Sequence, residues 1–144
     1  MQNSSNQGIG VLEILLGLSA FVILAAIIVL AMSPTRQLSD ARNAQRFADL
    51  NSIVNAIYKY ALDNGGRLPD NIPEQATEIC AGSLCSASLI DLSSLVGEDN
   101  YLMRMPIDPK AKGEGSGYKI EKEGDKIIIS APNAELGEKV LISR

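Results

Sequence analysis

The sequence predicts an α+β protein: a long N-terminal helix whose first half crosses a membrane and whose second half packs on a small antiparallel sheet. Three observations carry this expectation. Of the 24 residues from Ile9 to Met32, 20 are apolar. From Phe47 to Ala61, apolar residues return at steps of three and four, the period of a helix. Near the C-terminus, Tyr118 to Lys122 and Lys126 to Ser130 flank Glu123-Gly124-Asp125 in the manner of a β-hairpin.

Composition narrows the function. A chain of 144 residues holds one globular domain beyond such an anchor. The chain has no His, which removes His-dependent triads, HExxH zinc chemistry and His-based proton transfer, and it has no Trp. Only carboxylate, Lys or Cys chemistry remains, and the titratable residues form no visible constellation. The expectation is therefore no enzyme, no catalytic residue, no metal site and no cofactor. Thirteen Lys+Arg against seventeen Asp+Glu leave a net charge of −4 without a basic patch, so nothing points to a nucleic-acid partner.

The apolar segment comes first. As a helix, Ile9 to Met32 is about 36 Å long, enough to cross the hydrocarbon core of a bilayer. It exceeds the apolar core of a cleaved secretory signal, which runs to about 15 residues behind a basic stretch. Ala31 and Ser33 form a small-x-small pair, but Pro34 would follow the cut directly. Glu13 is the one charge in the first 35 residues, and a carboxylate inside an apolar helix needs a reason. It either lies near the headgroups at the positive end of the helix dipole or pairs with a cation from another chain.

The run Gly8-Ile9-Gly10-Val11-Leu12-Glu13-Ile14-Leu15-Leu16 resembles the start of a type IV prepilin or pseudopilin: a short polar leader ending in Gly, then Glu at the fifth position of a long apolar helix. The resemblance implies cleavage between Gly8 and Ile9 by a prepilin peptidase on the cytoplasmic face and methylation of the new amino terminus at Ile9. It implies that Glu13 neutralises the terminal ammonium of a neighbouring subunit, so that the charge finds its partner on assembly. The implied partners are further copies of this chain and other pilins, the peptidase, the membrane, and an inner-membrane assembly platform with its ATPase. Gly17 and Ser19 would let neighbouring helices approach closely. The sequence departs from the family in two places. The leader Met1 to Gly8 is uncharged, and the first mature residue is Ile rather than the usual Phe, Met or Leu. The nearest basic residues, Arg36, Arg42 and Arg46, follow the apolar segment, and taken alone they would put the soluble domain in the cytoplasm.

Past Pro34, Phe47, Leu50, Val54, Ile57, Tyr58 and Ala61 align on one helical face, with Arg42, Asn55 and Lys59 opposite. Asn64-Gly65-Gly66 supplies the residues a helix end prefers and Pro69 prevents resumption, so the helix ends near Asn64. The expected organisation is leader 1–8, transmembrane half 9–33, amphipathic half 34–64 and globular head 65–144, with loops over 65–115 and sheet over 116–144. Asp40-Ala41-Arg42, Ala48-Asp49-Leu50 and the stretch from Tyr60 to Pro69 resemble the corresponding helix and its exit in bacterial pilins.

Residues 65 to 115 read mostly as loop, with a short helical candidate around Ser88 to Val96. Cys80 and Cys85 are separated by four residues, which fits neither a redox C-x-x-C nor a zinc site without further ligands. They read as a small local disulfide, expected for a domain outside the cytoplasm, with free structural thiols as the alternative. Tyr101 to Pro109 is similar to the stretch that precedes the sheet in major pseudopilins, some of which bind calcium nearby. Asp108, Glu114, Asp125 and Asn133 are the oxygen donors available here, but Lys110-Ala111 replaces the family's Trp-Gly and no dense acidic loop follows, so Asp108-Pro109 reads as a turn. After the hairpin, Lys139 to Ser143 adds a third strand.

These readings converge on a structural subunit of a type IV pilus or pilus-like filament, held in the inner membrane with its N-terminus in the cytoplasm and assembled through its N-terminal helix. A type II secretion pseudopilin is the near alternative. A single-pass anchor carrying an extracytoplasmic binding domain is the alternative from another class.

Overall fold

A computed structural model describes residues 10–31, 34–82, 85–97 and 101–144. They divide into two compact units, residues 1–35 and 36–144. In the first, helix α1 spans Val11–Ala31, 21 residues long enough and apolar enough to cross a membrane, with no residue buried within the chain. Helix α2, Pro34–Asp63, begins on a proline, whose missing N–H costs nothing in a first turn.

α2 ends where the sequence predicts. Gly65 and Gly66 take positive φ, and the Gly66 N–H donates to the Ala61 carbonyl at 2.7 Å, closing the helix with left-handed residues. The Asn64 side chain caps the Tyr60 carbonyl. Tyr101 then packs edge-on against Tyr60 and donates its hydroxyl to Asp63, tying a distant loop to the helix exit.

The second unit is α+β. Its sheet has four antiparallel strands, β1 (Thr77–Cys80), β2 (Gly115–Glu123), β3 (Lys126–Ala131) and β4 (Val140–Ser143), in that spatial order. The hairpin forms as expected, with Glu123 opposite Lys126 and Gly124 at positive φ in the tight turn. Tyr118 and Ile120 of β2 and Ile127, Ile129 and Ala131 of β3 alternate inward and form one core with Leu50, Ile53, Val54 and Ile57 of α2.

Five details correct the sequence reading. β1 lies within the stretch expected to be loop, the sheet begins at Gly115, and the helical candidate at Ser88 to Val96 is only a single 3-10 turn at Ser93–Leu95. Phe47, expected on the core face, is 54% exposed. The inward stripe instead runs through Asn43, Arg46, Leu50, Ile53 and Ile57, because two polar residues take the positions next to the core. Arg42, expected on the solvent face, turns toward Glu135 and is only part-exposed.

Candidate functional site

α1 combines twenty-one exposed residues with a single carboxylate at its start. The backbone N–H of Gly10 donates to Glu13 Oε2 at 3.0 Å, and the N–H groups of Glu13 and Ile14 both donate to the Gly10 carbonyl. Glu13 thus satisfies an otherwise orphaned donor at the positive end of its own helix. Gly8 and Ile9, the predicted processing pair, lie outside the described residues. Gly17 leaves open space where a Cβ would stand, and Ser19 returns its hydroxyl to the Leu16 carbonyl at 2.8 Å, so both keep the α1 surface low and its polar groups satisfied.

A second constellation binds α2 to the loops that frame the sheet. Arg46, fully buried, grips Asp108 through Nε and Nη2 at 2.6 and 3.3 Å, and its Nη1 reaches Asn43 Oδ1 at 2.8 Å and Glu135 Oε2 at 3.2 Å. Glu135 also accepts from Arg42, Ser39 and Lys110. Asn43 completes the clamp, donating to the Glu135 carbonyl and accepting from the Glu135 N–H. The Arg42 bond, seconded by Lys110, holds the Glu135 carboxyl well below the usual carboxylate range. One turn further along α2, Asp49 accepts the Tyr118 hydroxyl at 2.6 Å, and burial together with that bond pushes the phenol above its ordinary value. Among the described residues no buried side-chain polar atom lacks a partner.

Neither the pairing nor the composition of this clamp is legible in the sequence. Its one signal is Arg46, which stands four residues before Leu50 on the inward stripe. A cation there demands a carboxylate, but nothing in the sequence says that Asp108 and Glu135, 62 and 89 residues away, supply it.

The cysteines settle one open alternative: Cys80 and Cys85 are joined in a disulfide, with Cα atoms 5.7 Å apart. Of the oxygen donors named from the sequence, Asp108 and Asn133 both border Gly117. Asp108 is occupied by Arg46 and by the Lys110 N–H, Asp125 lies in the β2–β3 turn, and among the described residues no group of three His, Cys, Asp or Glu side chains comes together.

An α+β head, with an apolar helix of membrane-spanning length in a separate unit N-terminal to it, is the class of protein these features define. Compared with known proteins, the chain matches no family model, no curated protein and no solved structure.

Proposed function

We propose that this chain is a structural subunit of a type IV pilus or pilus-like secretion filament, held in the inner membrane by α1, cleaved after Gly8, methylated at Ile9 and polymerised through α1. The observation that carries the reading is α1 itself: 21 residues with none buried in the chain and one carboxylate, Glu13, in the first turn. A plain anchor needs no charge there, whereas a polymer gains register from one. An ammonium at Ile9 of a neighbouring copy would replace the Gly10 N–H as the Glu13 partner, and a full ion pair in lipid outweighs one amide bond. The disulfide supports a head on the oxidising side of the membrane, against the bias of Arg36, Arg42 and Arg46. The layout of an apolar helix followed by a helix packed on an antiparallel sheet is compatible with a pilin fold.

The test is intact mass and N-terminal sequencing of protein from native membrane and surface fractions. A chain beginning at methylated Ile9 is expected; a chain beginning at Met1 in every fraction overturns the reading. Glu13→Ala is expected to abolish filaments while leaving the chain in the membrane.

One observation favours the anchored binding domain as a second reading. A cleft of about 740 Å3 opens at the C-terminal end of α2, lined by Tyr58, Leu68 and Ile72 with Arg67 and Lys122 among its charged residues. Its volume falls in the range of small-molecule sites. Unchanged localisation and ligand binding in Glu13→Ala, with no filament in the wild type, would favour that reading.

A further inference from the structure

The head carries unlike surfaces on the two flanks of α2. On one flank, a groove of about 410 Å3 separates α2 from the edge strand β4, with Ala44 and the exposed Phe47 on its α2 side and the exposed Leu141 on its β4 side. Ile127 and Arg144 exchange both backbone hydrogen bonds across the β3–β4 ladder. Alternation along an antiparallel pair then turns the Leu141 N–H and C=O away from β3, toward the open edge. The charges in the groove are Asp40, Glu138 and Lys139. Two carboxylates against one ammonium leave the groove net negative; Glu138 accepts the Asn43 amide, and Asp40 has no ion-pair partner among the described residues.

The other flank bears a loop with two exposed apolar side chains. Gln45 lies about 160° around the helix from Phe47, given 100° per residue. Beside Gln45 and Asp49 runs the loop holding Arg104, Pro106 and Ile107. Ile107 is half exposed and Met103 almost wholly so. Arg104 has no ion-pair partner among the described residues.

One chain therefore presents an apolar groove with a spare carboxylate and, on the opposite flank, an apolar loop with a spare guanidinium. Two different complementary patches on one molecule join copies head to tail rather than as a two-fold dimer, and the series stays open where the rotation does not close. We infer that the groove between α2 and β4 of one copy receives the Met103–Ile107 loop of the next, with Asp40 facing Arg104. The occupant is a second copy of this chain, and the heads form a continuous layer around the polymer. This rests on the polymer reading above, which holds copies side by side.

The experiment uses the full-length chain in its native membrane and surface fractions. A photo-crosslinking phenylalanine analogue is introduced at Phe47 and, in a separate variant, at Phe21 of α1, and the linked residues are mapped by mass spectrometry. The Phe47 probe is expected to capture residues 103–107 of a second copy. Asp40→Arg or Arg104→Asp alone should lower that yield by about tenfold or more, as like charges meet, and the two together should restore it. Links from Phe21 without links between Phe47 and residues 103–107 overturn the head interface and leave the polymer standing. Absence of links from both sites overturns the polymer and the interface together. Capture of a different protein at Phe47, or failure of the double variant to recover, overturns the interface as drawn.

Discussion

At position 46 the chain buries a guanidinium beside a buried carboxylate, and that pair reports how the head holds its helix. Removing one member of a buried pair leaves an uncompensated charge and costs about 3–5 kcal/mol, whereas replacing both by apolar residues is often neutral. Arg46→Met is expected to destabilise the head by that amount in denaturant unfolding, and Arg46→Met with Asp108→Leu to recover most of it. Little recovery would mean that the arginine acts mainly through Glu135 and Asn43. The sequence exposes this cluster poorly. Glu13 is legible because it interrupts an apolar run, but Arg46 hides inside an amphipathic pattern that tolerates charges on its outer face. Phe47 is misread for the same reason: its apolar character suits the core stripe, but three-dimensional fit assigns the inward position to its neighbour.

Elements differ in how visible they are. The β2–β3 hairpin is legible because Ile127-Ile128-Ile129 and the Gly124 turn are local signals within a short span. β1 is not: Thr-Glu-Ile-Cys is too short to show a period, and it becomes a strand only by pairing with β2 across a connection of more than thirty residues. Two features hold that connection. The Ile90 segment covers the outer edge of β1, where the Cys80 N–H donates to the Ile90 carbonyl and the Ile90 N–H to the Glu78 carbonyl. The disulfide closes a short ring beside it. By the chain-entropy account such a ring contributes about 2 kcal/mol. Cys80→Ser with Cys85→Ser should lower stability by about that much and speed amide exchange at Ile90 more than at Ile129. Equal acceleration at both positions would show that the ring stabilises the whole head instead. Gly117 tests the other side of β1. Its φ is +79°, its N–H donates to Glu78 Oε1, and an added Cβ would stand 2.7 Å from the Asp108 Cβ. Gly117→Ala is expected to cost about 2 kcal/mol or more, read as a lowered denaturation midpoint.

Over the whole molecule, the acid response follows from Glu135. The folded state holds its carboxyl below the usual range, so this contribution is complete above the unfolded value of about 4.3. It is lost as the pH falls below that value toward the depressed folded one. Thermal unfolding from pH 7 to pH 2 should show the wild-type head weakening below about pH 4.5, with a shallower decline in Glu135→Gln. Parallel curves would remove Glu135 as the acid-sensitive group.

The sequence by itself determined the membrane-length helix, the charge at its start, the exit of α2 and the hairpin. Each is written in residues adjacent in the chain or one turn apart, where hydropathy period, glycine and proline act directly on the backbone. Only the tertiary structure decided that Arg46 is buried, that Asp108 and Glu135 receive it, and that β1 is a strand. All of these depend on groups separated by tens of residues. Their energies come from desolvation and pairing, which no local pattern records.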